Sequence, residues 1–198
     1  MTRTSLMPAP RLRWLTALFV LASAPALAAD DEATRLAKGE VVISTRAVKG
    51  NDTPEYTTKA VIDAPPAKVW HIISRCADYA RTMVRIKAAK ELSRQGNKIV
   101  CQVTIEMPVP YSNLTATTDV THTESAQRYS RVWKLISGDY KINNGSWVLT
   151  PFKGDAKRTL AVYKVHAEPK AWVPAWIRKK AQQKTLPEMM QNLRKQTK

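Results

Sequence analysis

Three histidines, a few carboxylates and two cysteines are the residues here that could do acid–base, nucleophilic or metal chemistry, and their spacing decides how far that goes. His71, His122 and His166 lie far apart, and no HExxH, GxSxG, P-loop or GxGxxG pattern accompanies them. A catalytic histidine needs a convergent partner, which the sequence does not show, whereas a lone strand histidine is ordinarily exposed or bonded to a neighbour. Two carboxylates could face a groove. By strand alternation Glu106 groups with Gln102 and Thr104, opposite Cys101, Val103, Ile105 and Met107, and Asp119 groups with Thr115, Thr117 and Thr121. Both fall on the polar side. No catalytic residue, metal ligand or cofactor is assigned on these grounds.

Cys76 and Cys101 have no CxxC spacing, which removes thioredoxin-like and zinc-ribbon chemistry. Cys76 ends an expected helix and Cys101 lies in an expected strand. In an oxidising compartment they can close into a disulfide if that helix end packs within about 7 Å of the strand; otherwise they are two buried thiols acting as small hydrophobes.

The elements that would position these residues belong to one ordinary domain. The chain has 198 residues, 44% of them hydrophobic, and 32 Lys plus Arg against 16 Asp plus Glu for a formal charge of +16. Charged residues mixed with aliphatic runs argue against intrinsic disorder. Arg3, Arg11 and Arg13, the apolar stretch Trp14 to Ala22 and the small-x-small run Ala26-Leu27-Ala28 have the three parts of a secretory signal peptide. Cleavage after Ala28 is expected, with 1–28 removed, 29–39 a flexible leader and 40–198 the folded domain, located in the periplasm or secreted. The excised piece carries three Arg and no acid, so the basic excess belongs mainly to the domain.

Val41 to Arg46 and Tyr56 to Ile62 alternate on either side of Lys49-Gly50-Asn51-Asp52-Thr53-Pro54, which reads as a β-hairpin. Asp63-Ala64-Pro65-Pro66 starts a helix capped at Asp63 or Ala64, with Val69, Trp70, Ile72 and Ile73 on one face. A short helical piece follows at 77–83. Period two then gives strands near 85–94, 97–107, 112–124, 127–138, 145–153 and 157–168, with a turn at Asn143-Asn144-Gly145. Tight turns between successive strands make an antiparallel meander. Residues 171–198 return to helical spacing, and Pro187 predicts a kink or short break there.

This order, with Val61-Ile62-Asp63-Ala64-Pro65-Pro66-Ala67-Lys68-Val69-Trp70, resembles the opening of the START-like, or SRPBCC, helix-grip superfamily. Pro108-Val109-Pro110-Tyr111-Ser112-Asn113 is similar to a START loop usually followed by Arg; Leu114 stands there instead, so the role of that Arg does not transfer. Gly138-Asp139-Tyr140 through Gly145-Ser146-Trp147-Val148-Leu149, and Glu168 through Ile177, resemble the strands before the last one and the entry into the gripping helix. The resemblance covers roughly 40–196. It implies an α+β helix-grip fold, a curved antiparallel β-sheet wrapped around a long C-terminal α-helix, and an apolar cavity for a lipid, sterol or quinone. The superfamily also holds polyketide cyclases and dehydratases, so membership alone does not fix the chemistry.

Ile105, Met107, Leu114, Trp133, Leu135, Trp147, Leu149 and Tyr163 share the inward strand phase, and Trp176, Met189 and Met190 lie on the last helix. Inward alternation equally describes plain core. The tipped aromatics Trp133, Trp147 and Tyr163, which need hydrogen-bond partners when buried, and the adaptable methionines favour a cavity. Lys170, Arg178, Lys179, Lys180, Lys184, Arg194, Lys195 and Lys198 face only Glu188 as acid in the last segment. Arg178, Lys179, Lys180 and Lys184 are therefore candidates for docking to an anionic membrane, at about 1 kcal/mol per basic residue near the surface, beside Trp172 and Trp176; a solvated helix face is the other reading. Nucleic acid is not expected as a partner, since no stacking aromatics interleave with the lysines. The reading is an exported binding module that carries or sequesters one hydrophobic small molecule. The alternative is a polyketide cyclase/dehydratase-like enzyme, which would need two polar side chains converging in the cavity, Tyr163, His122 or Asp119 among them.

Overall fold

The computed structural model describes residues 24–198, with side chains described from residue 31 onward. The signal-peptide stretch therefore lies almost wholly outside the described residues. Eight strands form one antiparallel sheet: β1 (Val42–Val48), β2 (Asn51–Ile62), β3 (Ile86–Gln95), β4 (Lys98–Ile105), β5 (Leu114–Ser125), β6 (Arg128–Gly138), β7 (Tyr140–Phe152) and β8 (Asp155–Pro169). Their spatial order is β1-β2-β8-β7-β6-β5-β4-β3. The six-strand meander thus folds back so that its last strand pairs with the N-terminal hairpin. Helices α1 (Ala24–Ala37), α2 (Pro66–Ile73), the short α3 (Tyr79–Thr82) and α4 (Ala175–Gln196) complete the chain.

Period-two burial sets the inner face. On β2 the residues Tyr56, Thr58, Ala60 and Ile62 are buried, and on β5 Leu114, Ala116, Thr118, Val120 and His122, while Asp119 between them is exposed. Helix α2 starts where Pro66 can occupy a first turn without losing a hydrogen bond. Its cap falls at Pro65 rather than at Asp63 or Ala64, because the Asp63 carboxylate turns away to accept from Arg158 Nε at 2.9 Å. Val69, Trp70 and Ile73 then pack into the main core with Ile62, Trp147, Leu149, Met190 and Leu193. Each such side chain, fully removed from water, contributes roughly 1.5 to 3 kcal/mol.

The two halves of α4 do different things. Leu186, Met190 and Leu193, spaced i, i+4, i+7, are buried, and Asn192 Nδ2 and Gln196 Nε2 both donate to Thr82 O. Arg194 Nε adds a bond to Val61 O at 2.9 Å. The half before Pro187 has no fully buried residue before Leu186. Pro187 nevertheless does not break the helix, which is continuous from Ala175 to Gln196. The lost amide bond is offset by the buried side chains on either side of it.

The leader expected at 29–39 is instead helical through Ala37. Leu36, 3% exposed, packs with Val42, Val61, Phe152 and Leu160 on the outer face of the sheet, and Lys59 Nζ meets Glu32 Oε1 at 2.6 Å. A single apolar anchor in a charged run gives little periodic signal, which is why it reads as a leader.

Candidate ligand-binding cavity

A cavity of about 910 Å³ lies between the concave face of the sheet, the first half of α4, α3 and the loop 106–113. Its size suits a single lipid-sized molecule. The apolar wall includes Val103, Ile105, Leu114, Ala116, Met107 and Met189. One side is aromatic: Trp133 and Tyr163 stack with centroids 5.7 Å apart, and Trp147 meets Tyr163 at 4.7 Å. The Trp133 indole Nε1 donates to Asn143 Oδ1 at 3.0 Å, so its polar edge is satisfied inside the protein.

Of the residues expected to bind ligand, Ile105, Met107, Leu114, Trp133, Trp147, Tyr163, Trp176 and Met189 line this space. Leu149 and Met190 do not; both are fully buried in the core cluster behind the cavity, where α2 and α4 close on the sheet. Leu135 also stands off it, packed with Leu114, Ala116 and Tyr140. Trp176 is a rim residue, 66% exposed. Val109, 94% exposed, also lines the cavity, in a loop tied by Met107 N donating to Asn113 Oδ1. Lys179, Lys180 and Lys184 are exposed at the same mouth. Arg178 is not free there: its Nη1 donates to Thr53 Oγ1 on β2.

Cys76 and Cys101 are joined by a disulfide, with Cα atoms 6.2 Å apart, and both are wholly buried beside Ile99 and Val120. It ties the segment after α2 to β4.

The buried and half-buried polar groups that line the cavity include Tyr79, Thr118, Arg131, Tyr140, Asn143 and Tyr163, and two exposed carboxylates, Asp52 and Glu106, also stand on its wall. Burial pushes the phenols of Tyr140 and Tyr163 well above the ordinary tyrosine value, so both stay protonated. Arg131, only 4% exposed, sends Nη1 to His122 Nε2 at 3.0 Å and lies over the Tyr79 ring, 5.3 Å from its centroid. A guanidinium can only donate, so His122 must accept at Nε2 and carry its proton on Nδ1. Burial first, then the charges of Arg131 and Arg94, lower the His122 pKa to about 4. Sequence reasoning passed over Arg131 and Asn143. The alternation that put Trp133 and Leu135 inside puts Arg131 inside too, and that phase is the signal that could have found it.

Among the described residues no helix is long and apolar enough to cross a membrane, and no cluster of His, Cys, Asp or Glu could hold a metal ion.

An antiparallel sheet gripping a C-terminal helix around one apolar cavity defines a START-like helix-grip protein. The chain belongs to the polyketide cyclase/dehydrase and lipid transport family, whose sequence model matches residues 62–194. No curated protein matches it. Among solved structures it is similar to a STAR-related lipid transfer protein fragment from Xanthomonas axonopodis, with a TM-score of 0.68 and 16% identity over 79% of this chain and 97% of that one. Human STARD10 superposes with a TM-score of 0.67 at 13% identity, covering 92% of this chain and 82% of its own. The Zhui aromatase/cyclase from Streptomyces gives 0.57 at 15% identity, covering 72% and 92%. At these identities the likeness is one of fold.

Proposed function

We propose that this protein is an exported carrier that holds one hydrophobic molecule of the lipid, sterol or quinone class and shields it from water. The observation that carries this reading is the cavity of about 910 Å³ with its wall of Ile105, Met107, Leu114, Trp133, Trp147 and Tyr163. The lipid transport branch of the family and the similarity to a STAR-related lipid transfer protein support it. Export rests on the N-terminal Arg, apolar and Ala-Leu-Ala pattern. The rim of Trp176, Val109, Lys179, Lys180 and Lys184 supports loading and unloading at an anionic membrane, since indoles and lysines both favour that interface.

Cyclase or dehydratase chemistry is the second reading, favoured by the aromatase/cyclase likeness in fold and by Tyr163 lining the cavity. Of the three groups it would draw on, Asp119 is exposed on the outer face and His122 stands behind Arg131 rather than on the cavity wall. A Tyr163 held protonated can donate but cannot act as a base near neutral pH. Native mass spectrometry of protein purified from its own host, followed by solvent extraction, tests the carrier reading. One bound apolar molecule per chain is expected. An empty protein that also rejects fluorescent lipids and quinones would overturn it.

A further inference from the structure

Arg131 is the one buried cation of the cavity wall, and the protein does not neutralise it. None of the ion pairs among the described residues includes it. Its only hydrogen-bond partner there is the neutral His122 ring, which leaves four of the five guanidinium N–H donors unused. The Tyr79 face below it offers cation–π attraction but accepts none of those protons in its plane. The acid that acts on this pair electrostatically is Glu91 on β3, and its two oxygens are taken by Arg94 at 2.7 Å each. A buried, unpaired charge is costly unless something in the site supplies the counter-charge. The two acids on the cavity wall, Asp52 and Glu106, are exposed and neither pairs with Arg131, so that counterpart comes from the occupant.

The position of Arg131 fixes an orientation as well. It pairs across the sheet with His122, whereas Leu114, at the other end of the same inner row of β5, adjoins the mouth loop. Eight residues of strand separate them, roughly 26 Å. Arg131 is thus at the closed end, and the apolar residues Met107 and Trp176 are toward the opening.

We infer that the cavity is built for an acid-headed amphiphile, an apolar chain ending in a carboxylate or phosphate monoester, bound head-first with its oxyanion on the Arg131 guanidinium. This rests on the carrier reading above and names its ligand class. A planar carboxylate can take two of the free N–H groups at once, and a phosphate can do the same with two of its oxygens. The apolar tail then fills the space between the aromatic wall and the methionines.

The test titrates the full chain with hexadecanoate, hexadecyl phosphate, hexadecanol and methyl hexadecanoate by calorimetry at neutral pH. At least one acid should bind roughly ten- to a hundredfold more tightly than the alcohol and the ester, the range expected of a charge-assisted contact. The better of the two acids identifies the headgroup. Arg131→Met should erase the preference while leaving alcohol affinity within a few-fold, and Arg131→Lys should keep part of it. In the unmodified protein the acid should also raise the His122 pKa, followed by ring proton NMR, because the anion offsets the Arg131 charge. Equal affinity for acid and alcohol in the unmodified protein, or an undiminished preference in Arg131→Met, would overturn the inference and leave the carrier reading standing. Failure of all four ligands to bind would count against both.

Discussion

His122 shows how one side chain couples this interior to pH. Its ring lies edge-on to Trp70, centroids 4.8 Å apart, and is held neutral by burial and by Arg131 and Arg94, with Glu91 opposing them. The folded pKa of about 4 lies below the ordinary 6.5. Between those values the unfolded chain takes up a proton that the native chain refuses, so stability falls as pH falls through this window. The penalty is absent well above pH 6.5 and reaches the order of 3 kcal/mol at pH 4. Urea unfolding should therefore show a loss of about 2 kcal/mol between pH 7 and pH 5. His122→Asn, whatever its own cost, should flatten that slope between pH 7 and pH 5, since Glu91 and Glu168 are lowered from an ordinary value that already lies below pH 5. An equal slope in the variant would place the titration elsewhere. At this scale the sequence was readable where residue type and strand phase agreed, as at Trp133 and Tyr163. Arg131 was missed because its type contradicted its phase, and such contradictions mark functional interiors.

Among the elements, the largest departure from expectation is in β7. Asn143-Asn144-Gly145 has the composition of a turn, yet the strand runs through it from Tyr140, and the turn falls at Gly138-Asp139. Each residue of the triplet serves the neighbouring strand instead. Asn143 receives the Trp133 indole, Asn144 Oδ1 accepts from Leu135 N, and Gly145 lets the Trp133 ring close in where a Cβ would stand 2.3 Å from it. Cross-strand service of this kind leaves no trace in local propensity. The strands whose alternation was uninterrupted, β5 above all, were legible to within a few residues. The disulfide belongs to this scale too. Closing a loop of 25 residues restricts the unfolded chain by about 3 to 4 kcal/mol in the entropic account. Intact mass of protein purified without reductant should be two hydrogens lighter before reduction than after it, and reductant should lower the unfolding midpoint. Free thiols at Cys76 and Cys101 in protein purified without reductant would contradict the bridge.

For the whole molecule, the mouth brings together what the chain keeps apart: Val109 from the β4–β5 loop, and Trp176, Lys179, Lys180 and Lys184 from the first half of α4. The second half of that helix buries Met190 and Leu193 and is bonded to α3 and β2, whereas the first half is tied to β2 by the Arg178 to Thr53 bond, so exchange of ligand most simply requires the first half to move. Reversing charge at Lys179, Lys180 and Lys184 should slow transfer between anionic vesicles at least several-fold and leave affinity in solution nearly unchanged, each lysine supplying about 1 kcal/mol at the surface. Raising salt should mimic the variant. Transfer rates indifferent to both vesicle charge and salt would remove membrane docking while leaving binding intact. The clustering of basic residues was legible in the sequence, but the turning of Arg178 toward Thr53 is a tertiary fact that no helical spacing encodes.

The central claim, one apolar ligand inside the sheet, is tested most directly by titrating a Trp172→Phe/Trp176→Phe variant with a fatty acid brominated along its chain. Trp133 and Trp147 line the cavity, while Trp70 is packed in the core behind it. The account predicts fluorescence quenching that saturates at one ligand per chain and is reversed by unbrominated acid. Quenching that rises without saturation, or none at all, would contradict an internal site.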